Sequence, residues 1–284
     1  MYWWWVTIEF HHGIRVAATW RWAASPHVTA CSRVRQQPIE GTNMNVRGAT
    51  VLVTGANRGI GAAYARAFLD AGAAKVYGAA RDPDSVTDAD VAPVRMDVTN
   101  DTEVAAAAER CPDVNIVVNN AGIGSAVSAL SALVATNGRA MFDTNVFGIL
   151  NVASAFAPII EGNGGGALIN VLSIASWRTS SPLALYAASK SAAWSVTNSL
   201  RLELEPRGIQ VVGVHCGFVD TDLTAGMQMA KISPADVALA TIAGLVAGDR
   251  EVLVDDISRQ IRAELAQDLF VQYPELNAVT SPQP

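Results

Sequence analysis

Ala49-Thr-Val-Leu-Val-Thr54-Gly55-Ala-Asn57-Arg58-Gly59-Ile60-Gly61, running on through Ala-Ala-Tyr-Ala-Arg-Ala-Phe-Leu to Asp70, is the stretch from which the fold is read. Residues 49–54 are a short β-branched run, and an amphipathic helix is expected from about 60 to 70. The glycines between them let the backbone turn sharply and approach a pyrophosphate, for which a helix N-terminus offers free N–H groups and a positive dipole end. A glycine cluster alone is equally a tight turn. Its place between a strand and a helix, at the start of the regular part of the chain, favours a dinucleotide.

Outward from this turn the same rhythm repeats. Strands are expected at 75–79, 91–96, 115–118, 167–172, 209–214 and 251–254. Helices are expected at 101–109, 130–160 with a break near Asn137-Gly138, 185–205 and 234–247. Strands alternating with helices imply an α/β fold, a three-layer doubly wound parallel sheet forming a single domain over residues 44–267. Residues 268–284 carry prolines and no clear period, and are expected to be a flexible tail.

Residues 1–43 read differently. They hold five of the seven Trp and three of the four His, and neither helical nor strand period persists, although residues 2–10 have the makings of a short strand. An aromatic, uncharged start is a poor match to a signal peptide. The segment is expected to be an extension outside the folded domain, disordered or arising from a start assigned too early, with Met44 as the true start. A membrane-surface or partner anchor built on the Trp cluster is the competing reading.

Charge is uneven. Residues 1–47 contain five Arg and two Glu, so the acidic excess lies in the rest of the chain, whose overall formal charge is −6. An acidic body excludes nucleic acid as the expected partner. No run of about 18 apolar residues marks a membrane span. Cys31, Cys111 and Cys216 are odd in number and far apart, which suits reduced thiols of a cytoplasmic protein better than a metal or disulfide.

The chemistry is expected in residues 173–190. Ser173 precedes Tyr186 by thirteen residues, and Lys190 follows Tyr186 by four. On a helix, i and i+4 share a face, so the ammonium would stand near the phenol and lower its pKa from about 10.

Together these motifs resemble the short-chain dehydrogenase/reductase family, across roughly residues 46–265. The family's T-G-x-x-x-G-x-G is met by Thr54 to Gly61, and its N-N-A-G by Asn119-Asn120-Ala121-Gly122. Its mid-helix asparagine is matched by Asn145, and its S…Y-x-x-x-K by Ser173, Tyr186 and Lys190. The resemblance implies a Rossmann fold and hydride transfer between a nicotinamide dinucleotide and a carbonyl or alcohol. Tyr186 would be the proton donor and Ser173 would bind the carbonyl oxygen. Lys190 would hold the nicotinamide ribose, and Asn145 would support a proton path to Lys190. It also implies pairing into a homodimer or homotetramer through the helices near 130–160 and 185–205.

Cofactor contacts are expected from Gly55, Asn57, Arg58, Gly59, Ile60, Gly61, Arg81, Asn119, Ala121, Gly122, Tyr186 and Lys190. Asp97 and Val98 resemble the family's adenine contact, though Asp97 reads equally as a turn-capping residue before Asp101. An acid ending the second strand selects NAD, whereas an arginine accommodates a 2′-phosphate. Here Ala80 takes the acid's place, Arg81 follows and Arg58 is near, so NADP is favoured over NAD. Arg81 as a solvated loop charge is the alternative.

Where the family has P-G-x-x-x-T, this chain has Cys216-Gly217-Phe-Val219-Asp-Thr221, with Gly217, Val219 and Thr221 expected at the nicotinamide. The cysteine puts the loop's rigidity in question and reads as a packed thiol. His215, on a strand, should face away from it. The substrate, a small carbonyl or alcohol, is expected against Trp177, Arg178, Leu183, Leu185 and residues 218–229, among them Leu223, Met227 and Met229. A dinucleotide-sensing protein without turnover, or an epimerase or dehydratase of the same fold, are the alternatives.

Overall fold

The computed structural model describes the backbone of β1 (Trp5–Glu9) and β2 (Arg15–Thr19), and residues 44–276 in full. The chain divides into two compact units, Met1–Gln37 and Pro38–Pro284. In the first, β1 and β2 pair antiparallel, from Trp5 opposite Thr19 to Glu9 opposite Arg15. The strand foreseen within residues 2–10 is therefore present. The anchor reading of the Trp cluster lies outside the described residues.

The second unit is built on seven parallel strands: β3 (Thr50–Thr54), β4 (Lys75–Ala80), β5 (Ala92–Arg95), β6 (Ile116–Asn119), β7 (Gly166–Val171), β8 (Ile209–His215) and β9 (Glu251–Leu253). Their order is β5-β4-β3-β6-β7-β8-β9. The chain winds outward from β3 in one direction and from β6 in the other, so the carboxyl ends of β3 and β6 flank the switch point where such sheets bind ligands. Alternation sorts the strand side chains between two cores. Leu52, Val117 and Leu168 join one face with Phe156 and Ile160. Val51, Val53, Ile116, Val118 and Ile169 join the other with Tyr64 and Phe68.

The helices are α1 (Gly59–Asp70), α2 (Asp101–Arg110), α3 (Asn137–Phe142), α4 (Gly148–Gly162), α5 (Ala184–Leu204), α6 (Pro234–Ala247), α7 (Asp256–Glu264) and α8 (Leu269–Gln272). Their ends follow local chemistry. Asn100 caps α2 by accepting from the amides of Thr102 and Glu103. Ser233 and Asp236 make a capping box on α6, with Pro234 in its first turn and Gly248 left-handed at its end. The expected break near Asn137-Gly138 is the start of α3, after a 3₁₀ turn at Ala132–Ala135. A π turn, Asp143–Phe147, then joins α3 to α4. Among the described residues, Asn137–Gly162 is the helix long and apolar enough to cross a membrane. In this fold Val152, Phe156 and Ile160 spend its apolar face on the sheet.

The expected flexible tail is corrected up to residue 276. Asp268 caps α8 through the amide of Phe270 at 2.8 Å, and Tyr273 reaches back to Thr179. These ties are tertiary, so no local period announces them. Residues 277–284 lie outside the described part.

Candidate active site

The glycine turn is built so that main chain, not side chains, faces the switch point. Gly55 and Gly59 have φ of +65° and +54°, where a side chain is strained. A Cβ on Gly61 would lie 2.0 Å from the Gly55 carbonyl oxygen and 2.6 Å from Asn120 Nδ2. The Thr54 hydroxyl accepts from the amides of Asn120 and Ala121 at 3.0 and 2.9 Å, and Asn120 Nδ2 donates to the Thr54 carbonyl at 2.9 Å. The turns after β3 and β6 are thereby joined. Helix α1 has no acidic side chain in its first turn, and Arg58 makes no side-chain cap. The free N–H groups and dipole of that turn suit an anion.

Asn57, Arg58 and Arg81 are exposed, and Gly59 and Ile60 half-buried, around this turn. Arg58 Nη1 donates to Asp222 Oδ2 at 2.7 Å, an exposed pair worth at most about 1 kcal/mol. Asp97 Oδ1 accepts from the amide and hydroxyl of Thr99 at 2.9 and 2.8 Å, while the cap of α2 is Asn100. Val98 is 6% exposed. A Cβ on Gly148 would come within 2.7 Å of it, so Val98 is packed against the start of α4.

Tyr186 and Lys190 stand one turn apart on α5, with Lys190 Nζ 6.0 Å from the Tyr186 ring centroid. Ser173 follows β7, and its hydroxyl accepts from Ala175 N at 3.1 Å and faces the Tyr186 phenol. Asn145, on the π turn, exchanges two 2.9 Å bonds with the main chain of Ile123 and donates to the Ser189 hydroxyl at 3.0 Å. Ser189 in turn donates to the Tyr186 carbonyl at 2.8 Å. A Cβ on Gly122 would lie 3.2 Å from Asn145 Oδ1 and 3.7 Å from Lys190 Nζ, and one on Gly124 3.1 Å from the Tyr186 ring. The Asn119–Gly122 turn, Asn145, Tyr186 and Lys190 therefore meet in one place.

The electrostatics differ from the expectation that Lys190 lowers the phenol. Burial pushes Tyr186 up to about 12, with Cys216 adding to the rise and the Ser173 hydroxyl opposing it. Burial pulls Lys190 down to about 8. Lys190 is 6% exposed, and its ammonium donates to the Val171 carbonyl at 2.9 Å. Desolvation thus outweighs the attraction that i,i+4 spacing suggested.

Other expected residues have different neighbours. The Asn119 side chain turns into the sheet and donates to Asn170, which donates to Thr197. Cys216 is buried, its thiol pushed up to about 12 by burial, so it is a packed thiol. The loop after it is tied despite the missing proline, because Gly217 N donates to Asp255 at 2.8 Å. Val219 is buried and bridges to Ile232. The Thr221 methyl would sit 3.3 Å from a Cβ on Gly59, so this loop lies over the glycine turn.

The pocket reading needs correction at four positions, Trp177, Arg178, Met227 and Met229. Trp177 is 8% exposed and stacked on His215. Arg178 pairs with Glu264 and Glu275 instead of standing at a substrate. Leu223 Cδ1 would be 3.2 Å from a Cβ on Gly124, beside Tyr186. Met227 and Met229 instead line an open cavity of about 590 Å³ with Asp220 and Lys231, to which the Ser173–Tyr186–Lys190 group does not contribute. Sequence reading missed Asn120, Gly124 and Ser189. Asn120 lies inside N-N-A-G and Ser189 directly before Lys190, so motif position was their only signal.

Known proteins share this sequence pattern and fold. Residues 49–231 match the family model for short chain dehydrogenases. An oxidoreductase of Staphylococcus haemolyticus is 34% identical over 214 residues, covering 70% of this chain and 92% of the relative. A crystal structure of a short chain dehydrogenase from Burkholderia cenocepacia in complex with NADP is 36% identical with a TM-score of 0.78, covering 84% of this chain and all of that one. A gluconate 5-dehydrogenase from the same organism, in complex with NADP and tartrate, is 25% identical with a TM-score of 0.66, over 74% and 94% of the two chains. The chain therefore belongs to the short-chain dehydrogenase family of oxidoreductases.

Proposed function

We propose that this oxidoreductase reduces a small carbonyl compound with NADPH, Tyr186 being the proton donor. The observation that carries this reading is the meeting of Tyr186, Lys190, Asn145 and Gly122 at the carboxyl ends of β6 and β7. A nicotinamide dinucleotide, when bound, supplies the hydride. The glycine turn and the first turn of α1 would hold its pyrophosphate, on free N–H groups that no acidic side chain of that turn and no side-chain cap from Arg58 competes for.

The remaining work falls to this chain's own side chains. The Ser173 hydroxyl, paired with the Tyr186 phenol here, can turn its proton to a carbonyl oxygen placed between them. Tyr186, at about 12, is protonated at neutral pH and can give its proton to that oxygen. Lys190, at about 8, lies close enough to neutrality to take up and return a proton. Asn145 and Ser189 fix the α5 turn that carries both. Arg58 and Arg81 supply the cations for a 2′-phosphate, and the 36% identical Burkholderia structure holds NADP.

The reading is tested by NADPH oxidation across aldehydes, ketones and quinones, with NADH in parallel. Turnover of at least one carbonyl class, with an NADPH preference that shrinks about tenfold or more in Arg58→Ala/Arg81→Ala, is expected. No turnover, or a preference unmoved by the double substitution, overturns it.

A further inference from the structure

The connector between Ser173 and Tyr186 is gripped from outside. Trp177 lies flat on the fully buried His215, ring centroids 3.7 Å apart and 16° from parallel. The His215 ring nitrogen Nδ1 is 3.2 Å from the Ser173 carbonyl. Arg262, on α7, stands 5.5 Å over the same indole and donates to Glu251 at 3.2 Å. Glu251 also accepts from Trp194 at 2.9 Å. One residue on, Arg178 lies 3.6 Å from Glu264 and 4.0 Å from Glu275, with its guanidinium 5.8 Å from the Tyr273 ring centroid. The next residue, Thr179, donates its amide to the Tyr273 hydroxyl at 3.3 Å.

Three consecutive connector residues, Trp177, Arg178 and Thr179, are thus held by α7 and by the short stretch after α8 that carries Tyr273 and Glu275. Within 177–183 the connector's main-chain bonds are local, from Trp177 and Arg178 to Ile174 and from Leu183 to Ser180, while nearer its ends Ile174 N donates to the Cys216 carbonyl, Leu185 N to the Val127 carbonyl and the Ser191 hydroxyl to the Ser176 carbonyl. Among the described residues, the Thr179–Tyr273 bond is the one hydrogen bond joining the main chain of 177–183 to an element other than α5. The same C-terminal segment begins at Asp255, which accepts from Gly217 N at 2.8 Å, next to Cys216 whose carbonyl accepts from Ile174 N.

We propose that residues 255–275 form a strap that sets the Ser173–Tyr186 connector, with Arg262, Glu264 and Tyr273 as positioning residues. This rests on the reading above that Ser173 and Tyr186 serve one carbonyl oxygen. Two hydroxyls on different elements can share an oxygen only if the chain between them keeps their spacing, and small misplacements are costly in rate. The strap also occupies Arg178, which keeps that cation on Glu264 and Glu275.

Full-length Tyr273→Phe and Glu264→Gln/Glu275→Gln chains test this by amide hydrogen exchange and kinetics. Peptides covering 177–183 are expected to exchange about tenfold faster, with β6 and β7 unchanged. Carbonyl-reduction kcat is expected to fall about five- to tenfold while the NADPH Kd stays within about twofold. Unchanged exchange in 177–183 overturns the strap. Faster exchange with unchanged kcat overturns its role in positioning, as does a loss of kcat that Tm and NADPH Kd match. Wild-type protein that reduces no carbonyl would sink the reading of the site, and the exchange arm would still decide whether the strap holds the connector.

Discussion

Lys190 shows how far a residue's surroundings govern its chemistry. Its buried ammonium has a pKa lowered to about 8. Below that value both folded and unfolded chains carry the charge, and the fold bears its desolvation cost. Between about 8 and the unfolded value near 10.5 the folded chain releases its proton first, so stability rises with pH through that window. Lys190→Met is accordingly expected to gain up to about 3 kcal/mol at pH 7, less the Val171 bond, while losing activity. Chemical denaturation beside a turnover assay checks this. The same titration predicts that kcat/KM for reduction falls as pH rises above about 8, since the lysine can no longer return a proton. A pH profile of the wild type reads it directly. Spacing placed Tyr186 and Lys190 on one face, but their pKa directions depend on burial by residues distant in sequence, which spacing does not carry.

At the level of elements, periods were the legible part, whereas Asp97 was the capping candidate before Asp101 and Asn100 is the cap. Asn100 precedes an Ala-rich run and caps α2. Asn100→Ala is expected to cost about 1 kcal/mol, seen as a lower denaturation midpoint. The glycine turn was equally readable, because a strand, glycines and a helix in succession constrain the backbone so narrowly. The π turn at Asp143–Phe147 was not, since one wider turn leaves the apolar pattern of α3 and α4 almost intact. That turn carries Asn145 to Ile123 and Ser189. Nor was the docking of Tyr273 or Arg262 on the connector, where single long-range contacts replace any repeating signal. Trp177 was read as pocket lining for the same reason: its partner His215 lies 38 positions away in the chain.

Across the whole molecule, the sheet order and its two packed faces follow from alternating strands and helices and from right-handed crossovers. Phe156 is fully buried between α4 and the sheet. Phe156→Ala is expected to cost about 3–5 kcal/mol, read from urea unfolding. We propose that a chain beginning at Met44 keeps both the activity and the thermal midpoint of the full chain, because among the described residues the seven-stranded sheet and its two cores are formed from Val46 onward. A loss of either would bring residues 1–43 into the working protein. The chemistry of the molecule turns on Tyr186 as proton donor. Its most direct test is the single-turnover rate of carbonyl reduction at saturating NADPH, wild type against Tyr186→Phe, with NADPH affinity measured beside it. A proton-donating Tyr186 predicts equal affinity and a rate at least about 100-fold lower in the variant. Equal rates at equal affinity would contradict it.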